Sequence, residues 1–208
     1  MPTSLIEASD LAAVARRQLL DATPRALTGS SPRHYGRISV MPLPMSDWIP
    51  DSLGCETGFD RSAYWLAALA DAGIEVSAGL VVFDDGRMTE AARIWFLLQH
   101  LGLHCRVLNG GSPALLTLHQ ALDGHRRPPL PPGAPSAGNT AQVNWVDRAA
   151  LQADLAAGRI QVLDCRTADE WSGANRRDNP RAGHLPGSCL LPHTDLLNGN
   201  RLKPPGTL

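Results

Sequence analysis

The residues able to do chemistry lie in a few short stretches. Asp164-Cys165-Arg166 sets a thiol between a carboxylate and a guanidinium. A neighbouring cation favours the thiolate, the nucleophilic form of cysteine. Against that stands a plainer reading, since an isolated cysteine on a strand commonly serves as a small buried hydrophobe. His184, Cys189 and His193 are metal-ligating types, yet structural zinc takes four ligands with short paired spacings, which this set does not offer, so no metal is expected. For His184 the stronger reading is a hydrogen bond that fixes its own loop, because Gly183 and Pro186-Gly187 mark a tight turn. Arg176, Arg177 and Arg181 form a basic cluster suited to a small anion; the plainer alternative is a solvated loop balanced by Asp178. Asn109-Gly110-Gly111 reads as a turn, because no GxGxxG or lysine motif accompanies it.

The elements that must hold these residues alternate in type. Leu19 to Ala22 is a short apolar run, and Asp60 is placed to cap a helix that ends at Gly73 and turns Tyr64, Trp65 and Leu69 toward a core. Leu80 to Phe83 reads as a buried strand. Thr89 is placed to cap a helix through Ala92, Ile94, Trp95 and Leu98 that stops at Gly102, and Arg106 to Leu108 makes a further strand. Alternation of this kind predicts a parallel α/β sheet. Residues 124–139, GHRRPPLPPGAPSAGN, are too rich in proline for a helix or a central strand and predict a linker between a first domain, 1–123, and a second, 140–208. In the second, Asp147 is placed to cap a helix ending at Gly158, Ile160 to Asp164 reads as a strand, and Thr167 with Glu170 has the spacing of a capping box.

Overlaying Leu19-Leu20-Asp21-Ala22 on Val162-Leu163-Asp164-Cys165, and Gly36-Arg37-Ile38 on Gly183-His184-Leu185, gives an offset of roughly 145 residues for both pairs, the mark of an internal repeat. On that offset the second counterpart of Leu80 to Phe83, with its following loop, falls at roughly residue 225 or beyond. The second copy is therefore expected to be incomplete.

Val162-Leu163-Asp164-Cys165-Arg166, Glu170-Trp171 and Arg181-Ala182-Gly183-His184-Leu185-Pro186-Gly187-Ser188 resemble the paired signature of a rhodanese domain. Ala91-Ala92-Arg93-Ile94-Trp95 and Val107-Leu108-Asn109-Gly110-Gly111 resemble the helix and final-strand turn that follow the family's active-site loop. The resemblance implies a tandem sulfurtransferase of the thiosulfate or 3-mercaptopyruvate type. Its fold would be a parallel-sheet α/β domain with helices on both faces, followed by an incomplete second copy. It implies a chemistry in which a cysteine takes sulfane sulfur as a persulfide and passes it to a thiophilic acceptor. The thiolate needs loop amides and a helix N-terminus around it, and arginines to hold the anionic donor. By the same resemblance Asp84 occupies the nucleophile position of the first domain, where a carboxylate forms no persulfide and sets negative charge against the loop amides. The second domain lacks that loop, so no catalytic residue is assigned. Arg166, Asp164, Arg181 and His184 carry over as donor-binding residues, with Arg166 the leading anion ligand.

Composition narrows the partners. The chain of 208 residues has a formal net charge of −1 and 43% hydrophobic residues, which gives no basic field for nucleic acid or an anionic membrane. Residues 1–10 lack a secretory signal pattern, and no apolar run approaches a membrane span. Four widely spaced cysteines predict free thiols and a reducing cytoplasm. The expected partners are a small anionic sulfur donor and a thiophile, with no resident cofactor. A catalytically silent rhodanese-like binding module is the alternative function. A phosphatase on the same fold is a third reading, and it requires the same cysteine.

Overall fold

The computed structural model describes residues 4–11, 17–24, 33–35, 38–43, 61–75, 79–122 and 143–207. The chain divides into two compact units, Met1–Asn144 and Trp145–Leu208. The stretch 124–139 and Asp60 lie outside the described residues.

The first unit is built on a six-stranded sheet in the order β1-β6-β5-β2-β4-β3. Its strands are β1 (Leu5–Ile6), β2 (Arg17–Asp21), β3 (Arg33–Tyr35), β4 (Ile38–Pro42), β5 (Gly79–Phe83) and β6 (Cys105–Leu108). All neighbours are parallel except β3, which runs antiparallel to β4. β2 is central, pairing Leu19 with Val81 of β5 on one side and with Val40 of β4 on the other. A parallel strand covered on both faces should read as a continuous apolar run. Leu80-Val81-Val82-Phe83 does so, with every side chain buried. Alternation then divides it: Leu80 and Val82 join one core cluster, Val81 and Phe83 the other.

Helices cover both faces. α2 (Ser62–Asp71) brings Trp65 and Leu69, four residues apart, into the first cluster, and α3 (Thr89–His100) adds Ala91, Ile94, Leu97 and Leu98 at helical spacing. Trp95 packs half-buried against the same cluster. The opposite cluster takes Leu11 from α1 (Ala8–Leu11) and Leu115 from α4 (Gly111–Leu122). Cys105 lies within the first cluster, where burial pushes its thiol up.

The second unit contains α5 (Arg148–Ala156), β7 (Leu163–Asp164), α6 (Ala168–Ser172), β8 (Cys189–Leu190) and an antiparallel pair, β9 (Leu197–Asn198) with β10 (Arg201–Leu202). Asp147 caps α5, accepting from the Ala150 amide at 2.8 Å. Thr167 and Glu170 close the capping box on α6. β7 and β8 are parallel, with Leu163 opposite Cys189. The strand is shorter than Ile160 to Asp164, because β8 is the only strand that pairs with β7 among the described residues, and pairing begins at Leu163. No helix among the described residues is long and apolar enough to cross a membrane.

Candidate functional site

The loop after β5 is organised by one side chain. Asp84 is 1% exposed. Its Oδ1 accepts from the amides of Gly86 at 2.9 Å and Met88 at 3.0 Å, and its Oδ2 from those of Glu90 and Ala91, both at 3.1 Å. Glu90 and Ala91 belong to the first turn of α3, whose amides have no partner within the helix and whose dipole favours negative charge. Thr89 is therefore not the cap. Met88 holds the N-cap position with φ +64°, and the capping oxygens come from Asp84, across the loop.

The loop leans on the start of α4, where Ser112 donates its amide to the Asp84 carbonyl at 2.8 Å. A Cβ at Gly111 would lie 2.6 Å from that carbonyl oxygen and 2.6 Å from the Gly86 nitrogen, and Gly111 has φ +56°. Only glycine fits. Asn109-Gly110-Gly111 thus acts as the backstop of the Asp84 loop. The exposed cation of the loop, Arg87, is turned back on Asp85 at 2.9 Å, and that hydrogen bond raises its pKa. The arrangement is a cradle for one anion, and the chain's own carboxylate fills it.

In the second unit Asp164 ends β7 and takes a fork of bonds from Arg166. The Arg166 amide reaches Oδ1 at 3.1 Å, Nε reaches it at 3.0 Å, and Nη2 reaches Oδ2 at 2.6 Å. The pair holds the Asp164 carboxyl below the usual carboxylate range, chiefly through the Arg166 side-chain bond, and raises Arg166 in return. Arg166 Nη2 also donates to the Gly183 carbonyl at 3.0 Å, which ties the strand end to the Gly183-His184-Leu185-Pro186 loop. His184 lies stacked on Trp171, with ring centroids 3.7 Å apart, and its Nδ1 donates to the Trp171 carbonyl at 2.8 Å. Gly173 ends α6 against this loop, its would-be Cβ 3.2 Å from the Gly183 nitrogen.

Three of the four residues assigned to donor binding therefore meet. Asp164 and Arg166 bond each other, Arg166 also bonds the Gly183 carbonyl, and His184 is the next residue along. Arg181 is exposed, and no hydrogen bond or ion pair engages its side chain among the described residues. Arg177 is balanced differently from expectation: it pairs with buried Glu170 at 2.7 Å, where Asp178 had been expected. Arg177 takes φ +49° at that point in the chain, a conformation that its residue type does not announce. The Thr167 hydroxyl and amide, with a smaller contribution from Arg177, hold Glu170 below the ordinary glutamate range. Cys165 is exposed and so is not the core hydrophobe its strand position suggested.

No protein-family model matches the chain. The architecture nevertheless has close parallels. The fold is the rhodanese fold: the structure superposes on the 3-mercaptopyruvate sulfotransferase SseA of Escherichia coli with a TM-score of 0.68 over 97% of this chain and 79% of that one, at 22% identity. A 3-mercaptopyruvate sulfurtransferase from Leishmania major gives 0.62 over 96% of this chain and 58% of its own, at 20% identity. In sequence, the homologues are 3-mercaptopyruvate and thiosulfate sulfurtransferases. A Pseudomonas aeruginosa thiosulfate sulfurtransferase is 35% identical over 123 residues, 59% of this chain and 44% of the relative. A "Probable 3-mercaptopyruvate sulfurtransferase" of the same organism is 34% identical over 142 residues, 65% and 48%. The human 3-mercaptopyruvate sulfurtransferase is 26% identical over 136 residues, 63% and 45%. The chain spans about half the length of the curated relatives it matches.

Proposed function

We propose that this chain forms part of a rhodanese-type sulfurtransferase, with a non-catalytic first unit and a donor-binding second unit, working in a reducing cytoplasm. The observation that carries this reading is the Asp84 carboxylate seated on four loop and helix amides. It preserves an anion cradle of the kind a persulfide needs, with a group in it that cannot accept sulfur. The free thiols of Cys105, Cys165 and Cys189 support the reducing compartment.

In the reaction so proposed, a cysteine thiolate attacks the outer sulfur of thiosulfate. The S–S bond breaks, sulfite leaves with its electron pair, and a persulfide remains. A thiophile such as cyanide then attacks the outer persulfide sulfur and leaves as thiocyanate, which restores the thiolate. With 3-mercaptopyruvate the leaving group is the pyruvate carbanion, which takes a proton. Arg166 and Arg181 supply positive charge for the donor, Asp164 orients Arg166, and His184 fixes the loop that Arg166 grips. Because Asp84 stands where a cysteine is required, this chain alone does not turn over.

Thiocyanate formation from thiosulfate and cyanide tests this directly. The 208-residue chain should give the rate of a heat-treated control. A faster rate that is lost in Cys165→Ser would overturn the assignment and place the nucleophile at the exposed Cys165. The filled cradle also favours a second reading, a silent rhodanese-like binding module. Calorimetric titration with thiosulfate separates the two: donor binding that weakens in Arg181→Ala supports the sulfurtransferase part, and no binding at all supports the module.

A further inference from the structure

His184 is held by the ring and by the backbone of a single residue, Trp171. Trp171 stands near the end of α6, where the last carbonyls of a helix have no partner within it, and a histidine close to a helix end can satisfy one of them. The His184 Nδ1–H does so, donating to the Trp171 carbonyl at 2.8 Å. The two rings lie face to face, with centroids 3.7 Å apart and planes 7° from parallel. The indole Nε1–H is shut from solvent and finds no acceptor among the described residues, so the ring is engaged by packing and not by its polar edge.

The contact reaches Arg166 through the backbone. Gly183 takes φ +90°, a conformation that glycine adopts without strain, and its nitrogen lies 3.2 Å from where a Cβ on Gly173 would stand. The end of α6 thus lies against the loop both at Gly173 and at Trp171. The carbonyl of the Gly183–His184 peptide is the one that accepts from Arg166 Nη2 at 3.0 Å. Asp164 takes Nε and Nη2, so the guanidinium has one anchor on its own strand end and one on the loop. Nη1 meets no acceptor among the described residues, which makes it the nitrogen presented to an anion.

We propose that Trp171 is a positioning residue for the donor site: by fixing the His184 ring it sets the Gly183–His184 peptide, and the carbonyl of that peptide aims the Arg166 guanidinium. Trp171 itself touches no donor. Asp164 alone anchors the guanidinium along one edge, and the loop carbonyl removes the remaining freedom, which fixes the direction in which Nη1 meets the oxygens of an anionic donor. The stack therefore acts on donor affinity through geometry and adds no charge of its own. The inference rests on the donor-binding reading of the second unit and adds the residue that orients it.

Nitrogen NMR of Arg166 in the full chain reads the tether with no donor present. Rotation of the guanidinium about its Nε–Cζ bond should be about fivefold faster in Trp171→Leu, and should return to the parent rate in Trp171→Phe, which keeps a ring face and the same backbone carbonyl. His184→Asn, which keeps an N–H for that carbonyl and removes the stack, should act as Trp171→Leu does. It changes the loop and not α6, so it tests the stack even if Trp171→Leu fails to fold. Combining the two should add nothing further, since both break one contact. The Ala150 amide, held by the Asp147 cap, should keep its exchange protection throughout. Calorimetric titration with thiosulfate should rank the variants in the same order, with binding about fivefold weaker where the stack is lost. Unchanged rotation in His184→Asn overturns the proposal, as does a double variant whose effects sum, or a loss of Ala150 protection that reveals general loosening. Faster rotation in a chain that binds no thiosulfate keeps Trp171 as the residue that orients Arg166 and sinks the donor-binding reading instead, so the two fail separately.

Discussion

β2 and β7 are short parallel strands that end in aspartate, and they have opposite fates. Leu20 is fully buried, between β4 and β5 and beneath helices, whereas Leu163 is 55% exposed. Asp21 is 4% exposed and bonded to the Thr23 amide, while Asp164 is partly open and bonded to a guanidinium that is 42% exposed. In the described part of the second unit the single buried side chain is Glu170, and no apolar residue is buried. Two short helices and two two-stranded sheets do not close a hydrophobic core here, so local bonds hold the described part of this unit: a capped helix, a capping box, an arginine fork and a stacked histidine. The same strand motif is thus a core element in one setting and an edge in the other. What differs is the neighbour across the sheet.

The comparison breaks most sharply at the aspartates. Asp84→Ala leaves four buried or half-buried amides without their acceptor, and at about 1 kcal/mol or more for each the first unit should lose roughly 4 kcal/mol. Asp164→Ala removes a solvent-screened pair at the edge of the second unit and should cost about 1 kcal/mol or less. Chemical denaturation followed by tryptophan fluorescence measures both. Equal losses would mean that the second unit is as tightly closed as the first.

The leucines sharpen the same contrast. Leu20→Ala opens a cavity in the packed cluster and should cost roughly 2–5 kcal/mol. Leu163→Ala removes a side chain that is already more than half in solvent and should change stability by less than about 0.5 kcal/mol. If Leu163→Ala proved as costly as Leu20→Ala, Leu163 would be a packed side chain and the contrast between the two strands would fail.

Which features could be read from residue types alone follows from their range along the chain. The Asp147 cap and the Thr167–Glu170 box join residues three apart, so spacing suffices to find them. The apolar run Leu80 to Phe83 needs no more than composition to mark a central strand. The cap of α3 escaped because Thr89 stands where a local cap would stand, while the oxygens come from Asp84, up to seven residues away and across a loop that needs positive φ at Gly86 and Met88. A buried aspartate directly after an apolar strand, with glycine two residues on, was the available signal. The Arg177–Glu170 pair likewise depends on a backbone turn at Arg177. Cys165 is exposed because no strand among the described residues lies beside it on the side away from β8, and a window around Cys165 does not reveal that.

The smallest expected effect concerns the Asp164–Arg166 fork. Arg166 depresses the Asp164 carboxyl in the folded chain, so the pair stabilises the second unit fully above the unfolded value near pH ~3.9 and loses that contribution as pH falls through the lower folded value. Protonation at Asp164 weakens the fork and frees Arg166 from one of the contacts that aim it at the Gly183 carbonyl. Amide exchange at Gly183 and its neighbours should therefore stay flat from neutral pH down to about 4, after correction for intrinsic rates, and rise below it. In Arg166→Ala that rise should vanish, because the carboxyl returns toward its ordinary range and the loop has already lost its tether. In Asp21→Asn the second-unit profile should not move, since that carboxylate bonds Thr23 in the first unit. A rise already present at pH 6 would show that the tether of this loop is something other than the carboxylate, and would remove Asp164 from the role of orienting Arg166.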